Sequence, residues 1–197
     1  MKDVSKHYDL LIENGNDPFL DGKELSEYMD KYDGKQFIDL LNLDKSKNVL
    51  EIGCGTGRIT KKIVNNFSYY TGIDISKKTV FVAKEHFKNY DNISFIHGDF
   101  INYDFNNTYD VIFSTLTFMH FKDKKKVLVK AFNLLNCNGT FVLSIDKNNQ
   151  NFIDTGYSKI KVFPDNPEKI SKILTTVGFY NLSIKETELA FLISANK

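Results

Sequence analysis

Residues 49–58, with the sequence VLEIGCGTGR, decide the fold of this chain. An apolar run that ends in an acid is followed by three glycines at alternate positions, as expected for a buried strand that turns sharply into a helix. Glycine suits such a turn because the backbone can bend freely and can approach a ligand with no Cβ in the way. Helix formation is expected near Arg58, where free backbone N–H groups can face an anionic group. The stretch therefore predicts a nucleotide-type cofactor site.

Two later strand ends carry acids in the same manner. The run YTGID ends at Asp74, about 20 residues beyond the glycine turn, where a carboxylate can accept both hydroxyl protons of a ribose. Ser76 is then expected to cap the next helix. A third short strand, residues 93–96, leads into Asp99 and Phe100. Each feature alone is common in turns and caps, so the interpretation depends on their ordered conjunction.

The spacing of the glycines separates two kinds of cofactor-binding turn. Glycines stand at positions 53, 55 and 57, and Arg58 occupies the position where a dinucleotide-binding turn has its third glycine. From about Asn48 onward the chain resembles class I S-adenosylmethionine-dependent methyltransferases of the small-molecule type, the branch that includes the ubiquinone and menaquinone biosynthesis enzymes. The resemblance implies S-adenosyl-L-methionine as cofactor and S-adenosyl-L-homocysteine as product.

The resemblance also implies a fold and a role for each motif. The fold is α/β, with a three-layer Rossmann-like sheet of seven strands in the order 3-2-1-4-5-7-6, mostly parallel with one antiparallel strand. Glu51 would help to hold the amino-acid portion of the cofactor, Ile75 would pack on the adenine face, and Asp99 would bond the adenine amino group. The cofactor contacts expected on this basis are Glu51, Gly53, Cys54, Gly55, Gly57, Arg58, Asp74, Ile75, Asp99, Phe100, Ser114 and Thr115.

Strands and helices alternate along the rest of the chain, as a parallel sheet requires. Further strands are predicted over residues 109–114, 140–145, 182–186 and 190–195, and helices are predicted after the N-caps Asp123 and Asn166. The first of these helices should be closed by a turn at Asn138 and Gly139, and the second should end at Gly178. The last two strands are joined too tightly for a parallel crossover, so they should form an antiparallel hairpin.

The first 45 or so residues lie outside this alternation. Helical stretches around residues 24–32 and 36–41 resemble the lid that small-molecule methyltransferases place over the cofactor. We therefore predict a single methyltransferase domain over residues 1–197, with residues 1–45 as the helical lid and residues 46–197 as the cofactor-binding core.

Acceptor-binding residues are expected just after the parallel strands, where ligands bind in open α/β sheets. His120 follows the fourth strand and is the candidate general base or substrate ligand, because the pKa of free histidine lies near neutrality; the alternative is a structural histidine. Methyl transfer is an in-line displacement that depends mainly on alignment, so a dedicated base is optional. Aromatic rings could also enclose the sulfonium by cation–π contact. The candidate substrate contacts are Tyr8, Phe118, Asp146 and Glu188, with Tyr28 and Tyr32 as further candidates for the aromatic enclosure.

Composition favours one soluble enzyme domain. The 197 residues are 42% hydrophobic and 14% aromatic and carry a formal net charge of +1, so no global field is expected to attract nucleic acid. Only Cys54 and Cys137 are present, which argues against a disulfide framework and indicates the cytoplasm. No apolar run has signal-peptide or membrane-spanning length. We expect a small-molecule methyl acceptor, no DNA or membrane partner, and a monomer or homodimer.

Missing motifs narrow the acceptor further. The fourth strand is not followed by Asp-Pro-Pro-Tyr or Asn-Pro-Pro-Tyr, the signature of enzymes that methylate exocyclic amines of DNA bases or glutamine amides, nor by the Pro-Cys of cytosine C5 enzymes. We could place no converging carboxylates of the kind that metal-dependent catechol enzymes use, so we expect no metal. Three alternatives stay open: an RNA or protein methyltransferase, a catalytically silent S-adenosylmethionine-binding regulator, and a nicotinamide-dependent oxidoreductase.

Overall fold

A seven-stranded sheet forms the centre of the computed structural model, which describes residues 2–197, with Lys2 as backbone only. The strands of this sheet are β1 Asn48–Ile52, β2 Tyr69–Asp74, β3 Ile93–His97, β4 Tyr109–Thr115, β5 Leu135–Asp146, β8 Tyr180–Glu186 and β9 Ala190–Asn196. Two short strands, β6 Phe152–Asp154 and β7 Lys159–Lys161, form a separate antiparallel hairpin. The order across the sheet is β3-β2-β1-β4-β5-β9-β8, and β9 runs antiparallel to both of its neighbours.

Helices pack on both faces of the sheet. They are α1 Lys2–Glu13, α2 Lys23–Asp33, α3 Lys35–Leu41, α4 Arg58–Ile63, α5 Lys77–His86, α6 Lys124–Leu134 and α7 Pro167–Val177, with a 3₁₀ turn at Pro18–Leu20 and another at Phe118–His120. The predicted N-caps are confirmed, because the side chains of Ser76, Asp123 and Asn166 each accept a hydrogen bond from a backbone N–H of the first helical turn.

The predicted fold class and strand order are confirmed. The order 3-2-1-4-5-7-6 is reproduced when the seven strands of the main sheet are numbered by themselves. The sequence did not predict the β6–β7 hairpin or helix α1. Each of the two strands is only three residues long, and α1 is rich in charged residues although Val4, Tyr8 and Leu11 lie at helical spacing. Helix α1 and the hairpin pack against each other in the folded chain.

The turn predicted at Asn138 and Gly139 was wrong, because these residues do not lie between helix and strand. Helix α6 ends at Leu134 and β5 begins at Leu135, so Asn138 and Gly139 lie within the strand rather than between helix and strand. Backbone hydrogen bonds to the C-terminal residue hold them there, from Asn138 N to Lys197 O at 2.8 Å and from Lys197 N to Gly139 O at 3.0 Å. Asn138 has a φ of +63°, and the pairing register between β4 and β5 shifts in this region. The turn signal therefore marks an irregularity inside the strand.

The strands of the sheet are buried on both faces, as parallel strands between helical layers must be. Leu50, Ile112 and Phe141 face the layer that contains α6 and α7. Phe113 and Val142 face the opposite layer, together with the fully buried Phe37 of α3. Because α3 contributes to this core, at least that part of the predicted lid segment is integral to the domain. The division into lid and core stays a prediction.

Candidate functional site

A cavity of about 370 Å³ opens beyond the carboxyl ends of β1, β2 and β4. Its floor is the glycine turn after β1, and α1, residues 16–21 and α2 cover it. Ten of the predicted site residues contribute to its lining: Tyr8, Gly53, Cys54, Gly55, Arg58, Asp74, Ile75, Phe100, Thr115 and His120. The structure thus brings together residues that are distributed over more than half of the sequence.

The glycine turn approaches its surroundings closely on one side and leaves space on the other. Gly53, Gly55 and Gly57 have φ values of +77°, +55° and +95°, in the left-handed region that glycine tolerates best. A Cβ on Gly53 would lie 2.2 Å from the Oγ1 atom of Thr117. A Cβ on Gly55 would meet no heavy atom within 4 Å. The backbone of Gly55 therefore faces free space, where a ligand can approach it.

Asp74 ends β2 at the edge of the cavity, and its carboxylate is held by backbone groups. Its Oδ2 atom accepts a hydrogen bond from Gly55 N at 3.0 Å, and its Oδ1 atom accepts one from Ser76 N at 2.9 Å. Burial raises the pKa of Asp74, and these backbone hydrogen bonds oppose the rise. Each oxygen keeps a free lone pair, so the carboxylate can still accept two hydroxyl protons from a ribose.

Glu51 lies behind the glycine turn and outside the cavity lining. Its side chain is 2% exposed and accepts hydrogen bonds from the hydroxyl of Tyr70 and, at 3.4 Å, from that of Thr60. Burial raises the pKa of Glu51 to about 8, although Tyr70 and Arg58 act in the opposite direction. As placed, Glu51 supports the turn from below, and the direct cofactor contact that the resemblance implies stays a prediction.

Arg58 connects the glycine turn to the covering helices. Its Nη1 and Nη2 atoms donate to Oδ1 and Oδ2 of Asp33 at 2.7 and 2.5 Å. Asp33 is the last residue of α2 and is fully buried. A bidentate arrangement of this kind satisfies both ions where water is excluded. The guanidinium is therefore already paired where it borders the cavity.

A tyrosine and a histidine meet at the far wall of the cavity. Tyr8 of α1 and His120 of the 3₁₀ turn after β4 are joined by a hydrogen bond of 2.8 Å between the tyrosine hydroxyl and Nε2. Burial, with His7 and Lys124 nearby, lowers the pKa of His120 to about 4, so its ring is neutral at pH 7. Burial and Asp74 raise the pKa of Tyr8, so its hydroxyl is protonated. The Nδ1 atom of His120 is buried and has no hydrogen-bond partner among residues 2–197.

Two predicted cofactor contacts make structural hydrogen bonds away from the cavity. Asp99 accepts hydrogen bonds from Ile101 N at 3.0 Å and from the side-chain amide of Asn102 at 2.7 Å. Ser114 donates its hydroxyl proton to the carbonyl oxygen of Ile52 at 2.8 Å, which ties β4 to β1. A third, Gly57, lies beside the ring of Phe87, which a Cβ would approach to 2.4 Å.

The predicted substrate contacts other than Tyr8 also lie outside the cavity lining. Phe118 is a core residue that is 1% exposed, with Lys124 Nζ 5.1 Å from its ring centroid. Asp146 accepts a hydrogen bond from Asn148 N at 2.8 Å, and the exposed Glu188 pairs with Lys31 at 2.8 Å. The further candidates Tyr28 and Tyr32 pack edge to face with each other away from the cavity.

The sequence did not predict most of the covering residues. Among them are Asn16, Asp21, Leu25 and Met29 from the amino-terminal segment. Long-range contacts hold the segment in place: Phe19 N donates to Thr56 Oγ1 at 3.2 Å, and Lys61 Nζ donates to Phe19 O at 2.9 Å. The turn-forming residues around Pro18 mark a loop in the sequence, but no local pattern indicates where such a loop folds.

The described residues contain neither a metal-binding cluster nor a membrane-spanning helix. Within residues 2–197, no cluster of three or more His, Cys, Asp or Glu side chains is arranged to bind a metal ion. None of the described helices combines the length and apolar character needed to span a bilayer.

Comparisons with known proteins identify the family. A methyltransferase domain family matches residues 43–177. The malonyl-[acyl-carrier protein] O-methyltransferase 1 of Ilyobacter polytropus is 37% identical over 102 residues, which cover 51% of this chain and 38% of that protein. The DhpI–SAH complex superposes with a TM-score of 0.79 at 17% identity and covers 100% of this chain and 95% of that one. An S-adenosylmethionine dependent methyltransferase from Mesorhizobium loti gives a TM-score of 0.71 at 14% identity, over 84% and 98% of the two chains.

These similarities differ in what they establish. The solved structures share the fold. The matched segment spans well under half of the Ilyobacter protein. The domain match extends from just before β1 to the end of α7 and so includes the glycine turn and Asp74. The chain therefore belongs to the class I S-adenosylmethionine-dependent methyltransferase family.

Proposed function

We propose that this chain transfers the methyl group of S-adenosylmethionine to a small-molecule acceptor that enters the same cavity. The observation that carries the proposal is the convergence of the glycine turn, Asp74 and the Tyr8–His120 pair on one cavity. A volume of about 370 Å³ has to accommodate the cofactor and the reacting end of the acceptor, which favours a small acceptor.

The floor of the cavity suits the cofactor. Asp74 would bind the ribose hydroxyls, since backbone N–H groups hold its carboxylate at the edge of the cavity. Ile75 and Phe100 border the cavity beside β2 and β3, where they would flank the adenine. Gly55 would let the backbone approach the amino-acid portion. When bound, the cofactor supplies an electrophilic methyl group on a positively charged sulfur.

Tyr8 and His120 would contact the acceptor. Together they form a neutral hydrogen-bonded pair that can orient a nucleophile toward the methyl group. A histidine with a pKa of about 4 is a weak base at neutral pH, so alignment would supply most of the rate enhancement. Catalysis in this proposal therefore depends on positioning rather than on strong general-base action.

Calorimetric titration of the purified protein with S-adenosylmethionine, S-adenosylhomocysteine and NAD tests the cofactor assignment. We expect saturable binding of the first two ligands and none of NAD, because Arg58 replaces the third glycine of a dinucleotide turn. Binding of NAD alone would instead establish the oxidoreductase alternative.

Transfer of labelled methyl groups tests the reaction. S-adenosylmethionine with a tritiated methyl group should label at least one member of a panel of amines, phenols, carboxylates and thiols. Labelling only of RNA or of protein would favour those acceptors instead. Binding of the cofactor without labelling of any acceptor would favour a catalytically silent regulator.

A further inference from the structure

The cavity contains more negative than positive charge. Asp21 and Asp74 border it, and Arg58 is the one cationic side chain in its lining. The sequence contains no other arginine. Both donor nitrogens of Arg58 that face Asp33 are bonded to that buried carboxylate, so this cation is neutralised within the protein. No lysine side chain from residues 3–197 lines the cavity.

Lys124, near the wall that Tyr8 and His120 form and that we call the acceptor wall, is neutralised in the same way. Lys124 lies near enough to His120 to lower its pKa. Its Nζ atom is 2.6 Å from Oδ1 of the buried Asp165 and also donates to the carbonyl oxygens of Phe118 and Phe163. All of its donors are thus engaged by the protein. An anionic acceptor would find no unpaired cationic side chain from residues 3–197 in the lining of this cavity.

Asp21 lies in residues 16–21, part of the segment that covers the cavity. Its carboxylate has no side-chain partner among the described residues. It is half-buried at the end of the 3₁₀ turn Pro18–Leu20 and makes no side-chain hydrogen bond or ion pair with the described residues. Burial raises its pKa, while Arg58 and Lys61 act against the rise. A carboxylate in this position attracts a cation and repels an anion.

His120 supplies an unsatisfied polar atom at the acceptor wall. The residue is 6% exposed and its Nδ1 atom has no partner within residues 2–197. When Nε2 donates to the oxygen of Tyr8, Nδ1 presents a lone pair that can accept an N–H. A buried polar atom without a partner costs about 1 to 3 kcal/mol, so a ligand that satisfies it is favoured.

We propose that the methyl acceptor is an amine nitrogen and that this cavity rejects carboxylates; the inference rests on the proposed function of the same cavity. An alkylamine is an ammonium ion at pH 7, so it first releases a proton to water. The neutral amine then donates an N–H to Nδ1 of His120 and attacks the methyl carbon with its lone pair. The C–N bond forms as the C–S bond breaks, and the bonding electrons go to sulfur. The positive charge moves from sulfur to nitrogen, and the product ammonium loses a proton to water.

The charges of the cavity distinguish this reaction from ester formation. Methylation of an amine keeps a positive charge in the site throughout, and Asp21 and Asp74 stabilise it at each stage. A carboxylate acceptor would have to lose its hydration next to these two acids without a cation to bind it. The arrangement therefore separates this chain from relatives whose names specify a malonyl carboxyl group.

Matched acceptors test the proposal on the full chain saturated with S-adenosylmethionine carrying a tritiated methyl group. The probes are 2-phenylethylamine, 2-phenylethanol and 3-phenylpropionate, a shorter series of propylamine, propanol and butyrate, and the malonyl thioester of N-acetylcysteamine. Binding of each probe to the complex with S-adenosylhomocysteine is measured in parallel by calorimetry. We expect the amines to be bound and labelled about tenfold or more in preference to the carboxylates. A ratio of this size is expected for charges that are partly screened.

Asp21→Asn is the discriminating variant, and Glu24→Gln is its control because Glu24 is exposed on the same segment and does not line the cavity. The first change should lower the preference for amine over carboxylate about threefold to tenfold, and the second should leave it unchanged.

Equal or greater labelling of a carboxylate, or an unchanged preference in Asp21→Asn, would overturn the amine assignment. So would normal cofactor binding with no amine bound or labelled. Absence of cofactor binding would instead reject the proposed function itself, which the cofactor titration detects separately.

Discussion

Asp74 is the residue on which cofactor binding should depend most. Its two oxygens are oriented by Gly55 N and Ser76 N toward the cavity, where they would bond both ribose hydroxyls. Asp74→Ala should weaken binding of S-adenosylhomocysteine by about 1.5 to 3 kcal/mol, the range for hydrogen bonds to a charged group. Calorimetric titration measures the change, with Asp146→Ala as the control because Asp146 lies outside the cavity. An unchanged affinity in Asp74→Ala would remove the ribose assignment.

His120 should affect turnover more than cofactor affinity. His120→Gln should reduce turnover about tenfold to hundredfold, because the oriented contact with Tyr8 and the acceptor is lost while the cofactor floor is intact. Since burial lowers the pKa of His120 to about 4, turnover of the unmodified protein should show no titration near 6.5, the ordinary value for histidine. Initial rates of methyl transfer across this pH range check both statements. Full activity of His120→Gln would mean that the histidine is structural.

Glu51 should make the stability of the protein depend on pH. Burial raises the pKa of Glu51 from 4.5 to about 8, so the folded protein retains a proton that the unfolded chain releases. The stability contributed by this group is fully present below about pH 4.5 and is lost as pH rises toward 8. The free energy of unfolding, measured with urea, should therefore fall in wild type relative to Glu51→Gln between about pH 5 and about pH 8.5. A constant difference between the two proteins would show that Glu51 is ionised when folded.

At the scale of elements, the turn between β1 and α4 needs glycine for two reasons. One is the positive φ of Gly53, and the other is its close approach to Thr117. Gly53 and Gly156 have nearly the same φ, +77° and +79°, but only at Gly53 would a Cβ collide with a neighbour, Thr117. Gly156→Ala should cost about 1 kcal/mol from backbone conformation alone. Gly53→Ala should cost about 2 kcal/mol or more, because the turn or Thr117 also has to move. Urea unfolding of both variants measures the difference, and equal losses would contradict the close approach.

At the scale of the whole molecule, the Arg58–Asp33 pair unites the covering segment with the sheet. Asp33→Ala leaves a buried guanidinium without its partner and should lower the free energy of unfolding by about 3 to 5 kcal/mol. Urea unfolding followed by circular dichroism should still show one transition, because α3 is part of the core. Lys35→Ala is the control: its partner is Asp39, the two side chains are 86% and 60% exposed, and the loss should be below about 1 kcal/mol. A loss of similar size in both variants would mean that the buried pair does not hold the segment in place.

The sequence predicted the central sheet because its signals are local. Strand β1 and the three glycines are adjacent in the chain, and Ser76, Asp123 and Asn166 each bond a backbone N–H only three positions away. The tight connection between the last two strands excludes a parallel crossover, which is why the antiparallel pairing of β8 with β9 could be predicted. The position of β9 between β5 and β8 was predicted from the family resemblance alone. The β6–β7 hairpin was not predicted because each of its strands is only three residues long. Helix α1 was not predicted although Val4, Tyr8 and Leu11 lie at helical spacing.

The floor of the cavity, where we propose that the cofactor binds, was largely determined by the sequence itself. Glycines and acids at the ends of neighbouring parallel strands have to meet at one edge of the sheet, whatever the rest of the chain does. Glu51, Asp99 and Ser114 show the limit of this reasoning. A position at a strand end does not specify the direction in which the side chain points. In all three residues the polar group makes a hydrogen bond to another group of the protein and does not line the cavity.

The acceptor half of the site was decided by tertiary structure. Tyr8 and His120 are 112 positions apart and meet only because α1 folds back over the ends of the strands. Asp21 reaches the cavity through the same folding, and Arg58 loses its free charge to Asp33 for the same reason. Local patterns encode strand ends and helix caps, since those depend on neighbours in sequence. The charge and hydrogen bonding of a cavity wall depend on which distant segments come to lie together, and only the folded chain fixes that.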